Sequence, residues 1–425
     1  MKAPPKALFY FESTSCSAVV RQLTTFLYIC NMQLSVIILN YNVRYFLEQC
    51  VLSVQKAIQE IDAEIIVVDN NSQDDSCAMI RQRFPGVRLI QNEHNLGYPK
   101  GNNIGVAVAK GEYICILNPD TVLAENTFTK ILAFAENQKD LGIVGVRLID
   151  GAGNFLPESK RGVPTPFVAF TKVTGLYKIL PKWFGKYYAQ HLSDNQTGKV
   201  DVLVGAFMVM KKRLYQEVGG FDESCFMYSD DVDLSYMVLK SGRSNYYYAD
   251  TTIIHYKGES TIKDHMYMRR FREAMNFFYK KHFRASAAFD VFMRIGAFFF
   301  ALHKKKQSGN ARREIDQYIL LSDDDNFENE IKNFLGKRVT RSASATENDL
   351  NSLLADNTEL IIDNGTFSFA EIIELMQRFR NKSASFKIRP AKNGFIIGSN
   401  SSNDRGEVID FRILKPAISS EANQV

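Results

Sequence analysis

Cysteine, charge imbalance and long apolar runs are all scarce in this 425-residue chain, and each scarcity removes a class of protein. The six cysteines, Cys16, Cys30, Cys50, Cys77, Cys115 and Cys225, are scattered, and none forms a CxxC pair. This argues against a disulfide framework or a structural zinc site and suits reduced, buried thiols in a cytoplasmic protein. Charge is nearly balanced, 52 Lys and Arg against 47 Asp and Glu, with no dense basic tract interleaved with aromatics, so no nucleic-acid partner is expected. The residual +5 suits an anionic membrane surface or phosphorylated substrates. No apolar run reaches the roughly 18 residues of a spanning helix. The opening MKAPPKALFYFESTSCSAVVRQLTTFLYICNM is interrupted by Glu12, Arg21 and Gln22 and lacks the order of a signal peptide. Residues 1–32 are read as an N-terminal extension, with translation expected to begin at Met32; a native peptide from upstream of Met32 would refute this.

What is present is apolar material in a regular order. Apolar residues make up 45 % of the chain, enough for a substantial core and two or three domains. From Gln33, β-rich runs alternate with helical ones: LSVIILN, VRYFLEQCVLSVQKAIQ, AEIIVVD, SCAMIRQRF, VRLIQN, GNNIGVAVAK, YICILN. Strands separated by helices predict an α/β fold, a mostly parallel, doubly wound, Rossmann-like sheet. A helix near Asn126–Gln138 and a strand at Leu141–Val146 extend it, and DVLVGAFMVM reads as a further strand. This domain is expected over residues 33–283. Residues 284–306 read as an amphipathic membrane-associating helix, because Asp290 and Arg294 share one face and Lys304, Lys305 and Lys306 follow. Residues 307–348 read as a polar helical linker with the acidic run Asp323–Asp325, and 349–425 as a small α/β module without a glycine-rich phosphate fingerprint.

Acidic and polar residues stand just after predicted strands: Asp69 in EIIVVDNNS, Asn118 and Asp120 in YICILNPD, and Asp230, Asp231 and Asp233 in FMYSDDVDLSYM. Ligands of open α/β sheets bind at the carboxyl ends of strands, so these groups converge on one crevice suited to a nucleotide and a metal. In order and spacing, SVIILNYN, IIVVDNNSQDDS, NLGYPKGNNIG, ILNPDT, VGAFMVM, GGFDESCFMYSDDVDLSYM and HYKGEST resemble glycosyltransferase family 2, inverting nucleotide-sugar enzymes of GT-A fold, and in particular its bacterial rhamnosyltransferase-like branch.

The resemblance implies roles. Asp69 would accept the imide N–H of a pyrimidine base, with Asn40, Tyr41 and Asn70 around base and ribose. Asp120 would hold Mg²⁺ or Mn²⁺, a hard ion that takes carboxylate and phosphate oxygens. Asn118 stands where the family has an acid, which should weaken metal binding without nucleotide. His255 would join the metal shell. Asp231 would take the proton from the acceptor hydroxyl, with Asp230, a one-methylene departure from the usual Glu, beside it. Lys100 and Asn103, near a helix N-terminus, would reach ribose or phosphate. Glu158, Lys160 and Arg161 would lie at the acceptor mouth, and Lys257, Ser260 and Thr261 in a loop over the diphosphate. Asp233 would only cap its helix.

The activity so implied is transfer of a sugar, rhamnose by resemblance, from a nucleoside diphosphate donor to a glycan or polyprenyl-linked acceptor in envelope polysaccharide synthesis, at the cytoplasmic face of the membrane. Two alternatives differ in class. A nucleotidyltransferase would carry a basic glycine-rich loop after its first strand, which LNYNVRYF lacks. A receiver-like regulatory domain phosphorylated on Asp69 would end near residue 130, far short of HYKGEST.

Overall fold

In the computed structural model, the residues described are 32–165, 168, 185–257, 265–283, 314–342, 346–382, 384–400 and 406–412. The expected extension at 1–31 and the amphipathic segment 284–306 lie outside them, as do Ser260 and Thr261. The first half is β1 (Leu34–Asn40), α1 (Arg44–Ala57), β2 (Ala63–Asp69), α2 (Ser76–Arg83), β3 (Arg88–Gln91), α3 (Tyr98–Val108), β4 (Tyr113–Leu117), β5 (Thr121–Val122), α4 (Thr127–Glu136) and β6 (Leu141–Ile149). It continues through β7 (Gly198–Val200), β8 (Phe207–Lys211), α5 (Lys212–Glu217), α6 (Asp230–Lys240), β9 (Ser244–His255) and α7 (His265–His282).

The strands form a nine-stranded sheet of order β3-β2-β1-β4-β8-β6-β9-β5, with β7 also on β9. Pairing is parallel from β3 to β4 and between β6 and β9, whereas β8, β5 and β7 run against their neighbours. Strand β1 shows why the run LSVIILN must be central. Its side chains alternate between two apolar layers, Leu34, Val36 and Ile38 against α1, α2 and α4, and Ile37 and Leu39 on the side of α3 and α6. The strand expected over DVLVGAFMVM begins only at Phe207. Ahead of it the Gly205 N–H donates to the Asp231 carboxylate, so the chain there serves the site.

The second unit corrects the expected linker. Residues from 317 on already form β10 (Gln317–Leu321), α8 (Asp325–Leu335), β11 (Arg338–Ser342) and α9 (Glu347–Leu353). These join β12 (Thr358–Asp363), α10 (Phe369–Phe379), β13 (Ala384–Arg389), β14 (Phe395–Gly398) and β15 (Glu407–Asp410) in a sheet ordered β11-β10-β12-β13-β14-β15. Helical character was expected here, but not the strands β10 and β11 that join the sheet; only Phe327 and Ile331 of α8 are buried. The acidic run after β10 is neutralised internally, with Arg389 bonding Asp324 at 2.8 Å and Asp363 at 3.1 Å.

The two units share one apolar cluster, in which Val43, Phe46, Val122, Ala124, Ile254 and Tyr256 meet Phe369, Ile373, Met376 and Phe395. Glu125, three residues past β5, accepts the free N–H groups of Phe369 (2.7 Å) and Ala370 (3.0 Å) at the start of α10. A carboxylate there satisfies orphan donors and complements the helix dipole. Gly153, at φ +81°, lets the backbone pass Met376, whose carbonyl would lie 2.2 Å from an added Cβ.

Candidate active site

At one end of the site, the antiparallel pair β5 and β9 places Thr121 opposite His255 and so brings Asp120 beside the imidazole. His255 Nε2 is 3.5 Å from Asp120 Oδ1 and 3.4 Å from Asn118 Nδ2, and both Asp120 and His255 are buried. Asn118 Oδ1 and His255 Nδ1 are buried without a hydrogen-bond partner among the described residues. Buried polar atoms left unpaired are costly; Asn118 Oδ1 belongs to the amide beside the imidazole, whereas His255 Nδ1 lies across the ring from the Nε2 that faces Asp120. One carboxylate, one amide and one imidazole fit a divalent ion that completes its shell with phosphate oxygens and water. No cluster of three His, Cys, Asp or Glu exists among the described residues, so the protein's share of such a shell would be small. Cys50, whose thiol meets the Asn118 carbonyl, is no ligand, because burial pushes it up to about 12.

At the end of β2, Asp69 is almost fully buried. Its Oδ1 accepts from Asn40 Nδ2 (2.7 Å) and Ser72 Oγ (2.6 Å), and its Oδ2 from the Ser72 N–H (2.9 Å). The turn-capping part of the DNNS sequence is therefore real, yet a carboxylate has about four acceptor positions and retains some for a base. Ser72 was not singled out in sequence, although a serine three residues past a strand-end aspartate is a recognisable turn signal. Asn70 holds the next loop, donating to the Gly97 carbonyl (3.1 Å) and accepting from Asn92 (2.8 Å). Tyr41 is half-buried, and Lys100 is exposed on the first turn of α3. Asn103 departs from expectation. Its amide donates to the Phe221 carbonyl (2.9 Å) and Glu223 (3.0 Å) and accepts from the Tyr215 hydroxyl, so it fastens the GGFDE turn.

Asp230 and Asp231 open α6, where the helix dipole favours negative charge. Asp231 Oδ2 accepts from Arg161 (2.5 Å) and from the Gly205 N–H (3.2 Å), while Oδ1 accepts from the Val232 N–H (2.8 Å). Burial works against the Arg161 charge, but Asp231 outweighs it and holds the guanidinium above its ordinary value. Asp230 Oδ1 is buried with no partner among the described residues. Burial first, and repulsion from Asp231 second, push the Asp230 carboxyl up to about 7. The protonation-ready member of the pair is thus Asp230, and the oriented one Asp231. Tyr98, unremarked in sequence, donates its hydroxyl to the Gly205 carbonyl (2.7 Å) beneath them.

The remaining candidates divide. Arg161 is brought to the carboxylate pair. Glu158 pairs with Lys257, which holds its carboxyl below the ordinary value although burial alone would raise it. Lys257, at φ +68°, thereby ties the loop after β9 to the segment after β6. Lys160 instead spends its amine on the Leu192 carbonyl (3.0 Å). Asp233 makes no cap; it pairs with Lys281 (2.8 Å) and His282 (2.5 Å) and locks α6 to α7.

Residues 35–219 match the family model Glycosyl transferase family 2, in agreement with the resemblance read from the sequence motifs. The α/β GT-A class expected from sequence holds with it. Among curated relatives, an N-acetylglucosaminyl-diphospho-decaprenol L-rhamnosyltransferase of Mycobacterium tuberculosis is 26 % identical over 54 % of this chain and 78 % of its own length. A low-salt glycan biosynthesis hexosyltransferase of Haloferax volcanii is 26 % identical over 48 % of this chain and 60 % of its own. Among solved structures, a mannosyltransferase from Pyrobaculum calidifontis, in complex with GDP-Man and Mn²⁺, is similar at 16 % identity and a TM-score of 0.42, covering 66 % of this chain and 76 % of that one.

Proposed function

We propose that the protein is an inverting glycosyltransferase that moves a sugar, L-rhamnose being the first candidate, from a nucleoside diphosphate donor to a glycan or polyprenyl-diphosphate-linked acceptor in envelope polysaccharide assembly. The observation that carries this reading is the pairing, within a segment matching the family 2 model, of a corner of half-buried Asn118 and buried Asp120 and His255 with a buried Asp230 and Asp231 pair at the start of α6. The rhamnosyl preference and the lipid-linked acceptor rest on the mycobacterial relative.

In this reading Asp69, Asn40, Asn70 and Tyr41 receive the base and ribose, and Lys100 the phosphates. Asp120, His255 and Asn118 would hold Mg²⁺ or Mn²⁺, whose charge would offset that of the departing diphosphate. The acceptor oxygen attacks the anomeric carbon from the face opposite the leaving group, so the new C–O bond forms as the bond to the diphosphate breaks. Asp231, aimed by Arg161 and Gly205, receives the hydroxyl proton, and Asp230 shares it. Lys257, which the structure ties to Glu158, stands at the start of the sequence segment expected to cover the diphosphate. The apolar residues 284–306 and Lys304 to Lys306 would bring the enzyme to the inner membrane face; no helix among the described residues is long and apolar enough to cross a membrane.

The test is nucleotide binding by thermal shift, comparing dTDP, UDP, GDP and CMP with and without Mn²⁺. Stabilisation by one nucleoside diphosphate that depends on metal, and that chelation or Asp120→Ala removes, is expected. Absence of stabilisation by all four would sink the donor-site reading.

A further inference from the structure

Phe226 is the one large hydrophobic residue exposed among the described residues, at 39 %. It lies in the turn before Asp230, and its surroundings explain why the ring stays out. One edge rests on Gly97, whose missing side chain makes the room: an added Cβ would lie 2.8 Å from the ring. Its carbonyl accepts the Tyr98 N–H at 2.9 Å. The same Tyr98 reaches with its hydroxyl to Gly205, under the carboxylate pair, so the ring stands about one tyrosine length from the reacting centre. Over the ring, 4.7 Å from its centroid, sits the Arg270 guanidinium of α7. Arg270 has no carboxylate partner among the described residues, whereas Arg269 on the same turn is paired with Glu273.

Helix α7 is held in register for this contact. Lys281 bonds both Asp222 (2.7 Å) and Asp233 (2.8 Å), anchoring the helix to the start of the same turn and to α6. Arg270 and Lys281 are eleven residues apart, close to three full turns, so they project from one face. An aromatic left in water and an unpaired guanidinium stacked on it are together suited to a ligand with an apolar sugar face and an anionic group.

We propose that Phe226 and Arg270 form an acceptor subsite, in which the ring packs against the acceptor sugar and Arg270 binds the diphosphate that joins that sugar to its lipid. This rests on the glycosyltransferase reading above. The acceptor rather than the donor is favoured because the turn leads directly into the two carboxylates that meet the acceptor hydroxyl. The corner suited to the donor diphosphate, Asn118, Asp120 and His255, lies instead in the turn between β4 and β5 and at the end of β9.

The experiment uses full-length enzyme with saturating nucleotide sugar and two acceptors, an N-acetylglucosaminyl diphosphate on a short prenyl chain and a phosphate-free alkyl N-acetylglucosaminide. Phe226→Ala is expected to raise KM for both acceptors about tenfold with the donor KM unmoved, and Phe226→Tyr to restore it. Arg270→Ala is expected to raise KM about tenfold for the diphosphate acceptor alone, with Arg270→Lys recovering part of the loss. A shift confined to the donor KM, or an equal loss on both acceptors with Arg270→Ala, would overturn the assignment. Equilibrium binding of the diphosphate probe to wild type and both alanine variants separates the two readings. If wild type makes no product, the transferase proposal fails; if the variants bind the probe as wild type does, the subsite fails.

Discussion

Asp230 and Asp231 are neighbours in sequence with opposite environments. Asp231 is held by Arg161 and Gly205, while Asp230 keeps a buried oxygen without a partner and a carboxyl pushed up to about 7. Transfer should therefore fall as pH drops through about 7, and Asp230→Asn should flatten that limb in a pH–rate profile. Stability should move the other way. A carboxyl raised in the folded state binds more protons there than in the unfolded chain between about pH 4 and 7, so folding loses stability as pH rises across that window. Asp230→Asn removes the loss, and its melting temperature should gain on wild type between pH 5 and 8. Asp231→Asn should abolish transfer, by about a thousandfold or more, while leaving donor binding in place; retained turnover would show that Asp231 is not the base. Asp69, Asp120, Asp231 and His255 were visible in sequence because they stand at strand and helix ends. Tyr98, Gly205 and Phe226 were not, since their roles depend on partners far away in the chain, whereas Ser72 carried a local turn signal beside Asp69.

Among the elements, β5 is only two residues long yet places Asp120 against His255. A strand so short draws its stability from what packs behind it, and here that is α10, through Val122, Ala124 and the Glu125 carboxylate. Glu125→Ala strands two N–H groups at the start of α10 and should cost about 1–2 kcal/mol in chemical denaturation. If the coupling is as drawn, it should also weaken metal-dependent nucleotide binding, although Glu125 touches no ligand candidate. Glu125→Gln, which keeps one acceptor, should fall between. Unchanged nucleotide affinity in a folded Glu125→Ala protein would break the link from α10 to β5. The central strands β1, β2, β4 and β6 were legible from their continuous apolar runs, because a layer covered on both faces needs them, whereas the short β5 and β7 were not. The strands β10 and β11 were missed because, set among helices rich in Asp, Asn and Glu, they look like part of a helical linker until their apolar residues are seen packed in the cores of the second sheet.

At the scale of the molecule, the two sheets share the apolar cluster that runs from Phe46 and Tyr256 to Phe369 and Phe395. Phe379, fully buried at the end of α10, should on replacement by alanine cost about 3–5 kcal/mol, read as an earlier denaturation midpoint. Because the cluster is continuous, unfolding followed by near-ultraviolet circular dichroism and by nucleotide-binding loss should coincide; two separate transitions would mean that the units fold independently. The sequence by itself determined the α/β class, the order of strands and helices and the list of acids at their ends, since these follow from local periodicity and turn chemistry. Only the tertiary structure decided which acid is paired and which is left to titrate, that Asn103 fastens a turn, and that the second sheet stands behind β5. Those outcomes depend on burial and on hydrogen bonds between residues tens to hundreds of positions apart, which no local pattern carries.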